Sequence, residues 1–193
     1  NTGKALLMCR EVNDQIGADL YLPKLALIEQ IVDETPDTKT LRVRFEDQGY
    51  QRDFSWEPGQ FVEVTVFGAG EAPIGFASNP LERSLFDLTV VARGTVTRAM
   101  HQLSVGDRIG IRGPLGNCWP LEAVKGMDLL ILAGGCGSAP LRPAIYQILA
   151  NRKDYGEFWL LYGARTPKDC VFKCQLEEWR TCPDLRLLQT VDV

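Results

Sequence analysis

The chain has 193 residues, of which 45% are hydrophobic and 24% charged, the composition of a globular protein with a real core in one large domain or two small ones. Its net charge is −4 at pH 7 and it has no basic block, which argues against nucleic acid or an anionic membrane surface as a partner. No apolar run approaches the roughly 20 residues of a bilayer crossing, and the opening NTGKALLMCREVND is too polar for a signal peptide. The reading is therefore no membrane insertion, with the cytoplasm as the simplest location.

Residues 1–22 form an N-terminal extension with weak helical periodicity at Leu6, Leu7, Cys9, Val12 and Ile16. From Pro23 the character changes. KLALIEQIVDE, TKTLRVRFED, GQFVEVTVF, APIGFASNP, LFDLTVVAR and DRIGIRG are short runs rich in β-branched and apolar residues, separated by turn clusters at Thr35–Asp37 and Asp47–Gly59. Six such strands predict a small antiparallel β-barrel or sandwich over residues 23–120. One helix interrupts it, over Thr97–Leu103.

After GPLGNCWP the pattern switches. A buried strand from Leu129 to Ala133, a helix over 140–150, a strand over 158–163, a helix over about 168–180 and a strand over 185–191 alternate as βαβαβ. That alternation predicts an α/β parallel-sheet domain over 121–193. Three strands and two helices make half of a doubly wound domain, so the natural protein is expected to continue beyond this chain. The six cysteines are scattered with no C-x-x-C, and the expectation is free or buried thiols. Cys170, Cys174 and Cys182 have a spacing that suits a metal, but no fourth ligand is evident.

Two turns suit anions. Gly134 and the G-x-G-x-x-P run Gly135, Cys136, Gly137 and Pro140 follow a strand and open a helix, where glycines admit a ligand to the backbone and free N–H groups favour phosphate. Arg93, Gly94, Thr95, Val96 and Thr97 lie between a strand and a short helix, with the Thr97 hydroxyl read as its N-cap. Gly163 and Arg165 end the second parallel strand; Arg165 either pairs with a cofactor phosphate or is a solvated loop residue. His101, the only histidine, has no partner acid or nucleophile and reads as a surface or cap-stabilising residue.

The ordered motifs P-G-Q-F, S-x-P, G-x-x-[ST], G-P-x-G, A-G-G-x-G-x-x-P and L-x-Y-G-x-R resemble the ferredoxin–NADP reductase superfamily over about residues 23–193. GEAPIGFASNP, RGTVTRAMHQL, AGGCGSAPLRP and LLYGARTPKDCVF resemble one branch. That branch comprises the FAD/NAD(P)-binding subunits of multi-subunit iron–sulfur enzymes, such as the gamma subunit of cytoplasmic nickel–iron hydrogenases (sulfhydrogenases) and the corresponding electron-input subunit of anaerobic sulfite reductase. The resemblance implies FAD in the barrel, NAD or NADP on the α/β domain, and hydride transfer between them. Electrons would then pass to an iron–sulfur subunit of a larger redox complex. A [2Fe–2S] cluster is implied only if a C-terminal segment is missing from this chain, and no protein residue is implied as catalytic.

For FAD the resemblance implies Pro73, Ile74, Gly75, Phe76, Ala77 and Ser78 at the ring edge, with Ile74 packing on the ring. Gly94 to Thr97 would hold the diphosphate, with Arg93 as an added cation. In this sequence Ala72, Ile74 and Gly75 stand where the family's R-x-Y-S-x-x-S strand has Arg, Tyr and Ser, and only Ser78 fits. For the nicotinamide nucleotide it implies Gly134, Gly135, Gly137, Pro140, Gly163 and Arg165. Cys136 either touches the nicotinamide or is a small residue suited to a tight turn. The alternatives are a stand-alone NAD(P)H-dependent flavin or ferredoxin reductase, and a non-catalytic assembly subunit with a degenerate flavin site.

Overall fold

A computed structural model describes residues 21–193; the helical periodicity expected over residues 1–20 lies outside them. Six strands come first: β1 (Lys24–Thr35), β2 (Thr38–Phe45), β3 (Phe61–Val66), β4 (Gly70–Gly75), β5 (Phe86–Val91) and β6 (Arg108–Leu115). They pair antiparallel in the order β4-β3-β6-β1-β2-β5, and a bridge between Phe76 and Leu88 closes the ends on each other. The result is the expected antiparallel barrel. Strict alternation explains it: in β3, Val62, Val64 and Val66 point inward while their neighbours are half exposed. Phe45, Phe54, Phe76 and Phe86 fill the interior, and Trp56 stacks on Phe76 with ring centroids 4.1 Å apart.

Two short helices decorate the barrel. The first, α1 (Gln48–Asp53), sits inside the stretch expected to be turn. Its sequence, QGYQRD, has no apolar period. The Asp47 side chain caps it, accepting from the backbone N–H of Gly49 and Tyr50 at 2.8 and 3.0 Å. Buried Gln51 ties it down, accepting from Phe45 N–H and donating to the Arg83 carbonyl, each at 2.7 Å. The second, α2 (Thr95–Met100), begins two residues earlier than the sequence suggests.

The rest of the chain is the expected α/β unit. Strands β7 (Leu129–Gly134), β8 (Phe158–Ala164) and β9 (Arg186–Val191) run parallel in that order, linked by α3 (Arg142–Ala150) and α4 (Lys173–Thr181). Phe158, Leu160 and Tyr162 of β8 pack with Ile145 and Ile148 of α3 and Leu176 and Trp179 of α4. β7 is not the fully buried strand expected from its apolar run. Leu130 and Leu132 are 59% and 64% exposed, on a sheet face they share with exposed Leu188, because the described helices pack on the other face.

The helix expected over 168–180 is also broken. A 3-10 turn covers Pro167–Asp169, Cys170 lies buried outside both helices, and α4 starts only after Phe172. Phe172 has φ 56°, the one left-handed non-glycine among the described residues, a conformation that costs about 1–2 kcal/mol for an L-residue. Its buried ring offsets that cost. Because Asp47 supplies the side-chain cap of α1, Asp47→Ala is expected to lower stability by about 1 kcal/mol. Urea unfolding at neutral pH measures this, and a midpoint equal to the parent's would refute the capping role.

Candidate functional site

Gly134 ends β7 and lies beside Gly163, the last residue but one of β8, its partner in the parallel register. From Gly135 the chain enters a 3-10 turn through Leu141, and α3 begins at Arg142 with Pro143 in its first turn. Pro140 therefore lies inside the 3-10 segment and does not open the α-helix. Its ring removes the N–H that an α-helical bond would need there. Gly135 has φ 48°, a left-handed conformation that disfavours any side chain. A Cβ added at Gly134, Gly135 or Gly137 would meet nothing within 4 Å. The turn is thus bare backbone facing open space, held from behind by the Ser138 hydroxyl, which donates to the Gly135 carbonyl at 2.8 Å.

At the barrel turn of Arg93–Thr97 the structure corrects the capping assignment. Gly94 is the N-cap of α2, and Thr97 lies three residues on. The Thr97 hydroxyl accepts the backbone N–H of Arg93 and Gly94 at 3.0 and 2.9 Å and lies 3.2 Å from the Gly94 carbonyl, so it builds the turn itself. Thr95 and Val96, in the first helical turn, have no intrahelical acceptor for their N–H groups.

Arg93, which leads into the barrel turn, and the start of the glycine turn border one cleft. A cavity of about 450 Å³ is lined by Asp37, Arg93, Gly134, Gly135, Cys136, Gly163, Arg165, Asp169 and Asp192, among others. The structure thus brings Arg93 from the barrel to the glycine turn of the α/β unit. Four charged side chains here are already engaged, Arg93 lying 3.5 Å from Asp37. The Asp37 carboxyl is held below the ordinary carboxylate range first by the Thr35 hydroxyl, then by Thr38 and by Arg93 and Arg165. Arg165 pairs with Asp169 at 3.0 Å across an exposed loop, a weak tie that a stronger anion can displace.

The strand expected to line the flavin is less open. Alternation turns Ile74 and Phe76 inward, so the expected packing of Ile74 on a ring is replaced by packing in the barrel core. Ala77 is fully buried within the core of the α/β unit, and the Ser78 hydroxyl accepts the Asp87 backbone N–H at 3.0 Å. Pro73 stays exposed. A Cβ at Gly75 would come within 3.1 Å of Pro140 Cβ, so the two motifs meet across the interface and a side chain at 75 would crowd Pro140. Cys136 is half buried, and burial, then Asp37 and Glu34, push its thiol up to about 11. His101 lies outside the cleft lining, with Nε2 2.9 Å from the Val90 carbonyl, so Nε2 carries the proton and the ring serves the barrel. The five described cysteines are free, and no cluster of metal-binding side chains occurs among the described residues. No helix among the described residues is long and apolar enough to cross a membrane.

The oxidoreductase FAD-binding domain family matches residues 25–119, and the oxidoreductase NAD-binding domain family matches residues 131–192. This chain belongs to the ferredoxin–NADP reductase family. It is 37% identical over 160 residues to the Pyrococcus furiosus sulfhydrogenase 1 subunit gamma, covering 81% of this chain and 55% of that protein. It is 39% identical over 121 residues to a probable dihydroorotate dehydrogenase B (NAD(+)) electron transfer subunit of Methanocella arvoryzae, covering 63% and 42%. The chain spans about half the length of the curated relatives it matches. Among solved structures, phthalate dioxygenase reductase superposes with a TM-score of 0.71 at 20% identity, covering 86% of this chain and 51% of that one. That likeness establishes the fold. The family's barrel and α/β unit are the two sheets described here, and FAD and NAD are the groups they take.

Burial keeps the Cys136 thiol protonated near neutral pH, and the thiolate is the reactive form. Alkylation of Cys136, followed by peptide mass spectrometry, is expected to trail that of exposed Cys118 and Cys174 and to keep accelerating above pH 9. Rapid labelling at pH 7 would contradict a buried, protonated thiol. Gly135→Ala is expected to cost about 1–2 kcal/mol, measured by thermal unfolding, because it forces alanine into a left-handed conformation.

Proposed function

We propose that the chain is the flavin- and nicotinamide-binding part of an electron-transfer subunit of a multi-subunit redox enzyme. It moves electrons between NAD(P)H and the iron–sulfur clusters of a partner of the hydrogenase or sulfite-reductase type. One observation carries the reading: a barrel cation, Arg93, and the glycine turn Gly134–Gly137 border the same cleft. Bound FAD supplies the two-electron to one-electron conversion that such a relay needs. A [2Fe–2S] cluster belongs to this reading only if a C-terminal segment is missing from this chain, and the cytoplasm is the compartment this chemistry suits.

The residues divide the work as follows. Gly134, Gly135 and Gly137 offer uncovered backbone to the nicotinamide nucleotide's diphosphate, and the open space before them fits such a group. Arg165 of the α/β unit and Arg93 of the barrel, the latter on this nucleotide rather than on FAD, supply charge-assisted hydrogen bonds. Thr95 and Val96 offer the free N–H groups of α2 to the FAD diphosphate, and Pro73 to Ser78 present the strand beside it. Cys136, kept protonated, contributes a small uncharged side chain where a thiolate would repel phosphate. No side chain here is required as an acid or base, because hydride moves without a proton.

A second reading, an assembly subunit without flavin, draws on Ala72, Ile74 and Gly75 in place of Arg, Tyr and Ser and on the inward turn of Ile74. The visible spectrum of the purified chain after incubation with FAD separates the two. Retained flavin absorbance, bleached anaerobically by NADH or NADPH, is the expected result, and a colourless chain would favour the assembly role. Arg93→Ala is expected to raise KM for the nicotinamide nucleotide about tenfold, the loss of one charge-assisted bond, with flavin content unchanged. Loss of flavin in that variant would instead place Arg93 on the FAD diphosphate.

A further inference from the structure

The hairpin end of β1 reaches the α/β unit through Glu34. Its Oε2 accepts the backbone N–H of Phe172 at 2.8 Å, and its Oε1 accepts the Thr40 hydroxyl, also at 2.8 Å. The Thr40 hydroxyl lies 2.9 Å from that of Thr89, and both threonines are buried. One carboxylate is thus seated on the barrel and grips the N-cap residue of α4.

Phe172 is the left-handed residue noted above, and its ring lies 4.0 Å from the guanidinium carbon of Arg142. Arg142 is 9% exposed, its Nε has no hydrogen-bond partner, and it opens α3 directly after the glycine turn. A continuous path therefore runs from the barrel through Glu34, Phe172 and Arg142 to the turn. Glu34 is also close enough to the turn for its charge to add to the rise of the Cys136 thiol.

We propose that Glu34 is a positioning residue, which fixes the glycine turn relative to the barrel and so sets the distance between the two cofactor sites. The inference rests on the reading of the cleft as a dinucleotide site. Hydride transfer needs reacting atoms about 3–3.5 Å apart, and a misplacement of about 1 Å costs on the order of 100-fold in rate. Without the carboxylate, the Phe172 N–H loses its acceptor. The residue then relaxes toward ordinary φ, and α4 and Arg142 shift with it.

The test compares the parent chain with Glu34→Ala and Glu34→Gln, each reconstituted with FAD. Hydrogen exchange is read by mass spectrometry at peptides covering 170–173, and flavin bleaching by NADH and NADPH is read in single turnover. Glu34→Ala is expected to speed exchange there about tenfold or more and to slow bleaching 10- to 100-fold, at unchanged flavin content. Glu34→Gln keeps a carbonyl acceptor and is expected to stay within about threefold of the parent on both measures. Unchanged exchange in Glu34→Ala overturns the proposal, as does faster exchange with an unchanged bleaching rate. If Glu34→Ala does not fold, Glu34→Gln decides alone: loss of both exchange protection and bleaching rate overturns the claim that an acceptor at this atom suffices. If the parent itself takes no flavin, the redox reading fails, and the anchor stands or falls on the exchange result.

Discussion

A few residues of bare backbone at the end of β7 set the terms for everything around them. Gly135 must be left-handed, and Gly134 and Gly137 must carry no side chain, or the open space before the turn would close. The neighbouring elements meet that demand. Ser138 holds the turn from behind, Gly163 keeps the adjacent strand end small, and Pro140 stops an α-helix from starting early. The parallel sheet places all of this at its carboxyl edge, where a ligand can approach without displacing core side chains.

The barrel's contribution is position and charge more than an enclosing pocket. Arg93 reaches the cleft from a turn that Thr97 ties together, and Asp37 tempers its charge. Ala77 and Gly75 pack against the α/β unit, so the strand expected to face a flavin also forms the interface between the two sheets. That double duty accounts for the small residues at 75 and 77: bulk at either position would force the sheets apart.

Much of the architecture was legible because two periods are distinct. Alternation marked β1, β2, β3, β5 and β6, and the switch to apolar runs with helical spacing marked the α/β unit. The glycine turn was legible because only a ligand or a left-handed bend calls for so many glycines after a strand. What escaped notice depends on partners distant in sequence. The QGYQRD segment is helical because Gln51 bonds to Phe45 and Arg83, which no local pattern reveals. Thr97 looked like an N-cap because a threonine before a helix usually is one, yet its hydroxyl reaches back to two earlier amides. Ile74 was placed against a ring by family likeness, where its register opposite Val62 turns it to the core. Nothing in the local sequence marks Glu34, since its partner lies 138 residues away.

The central claim is that the cleft bordered by Arg93 of the barrel and by the glycine turn takes a dinucleotide. A crystal structure of the chain soaked with FAD and NAD(+) tests it most directly. The account predicts the nicotinamide nucleotide's diphosphate over Gly134–Gly137, with the Arg93 guanidinium within hydrogen-bond distance of a phosphate oxygen. Both nucleotides lying away from that cleft, with the glycine turn unliganded, would contradict it.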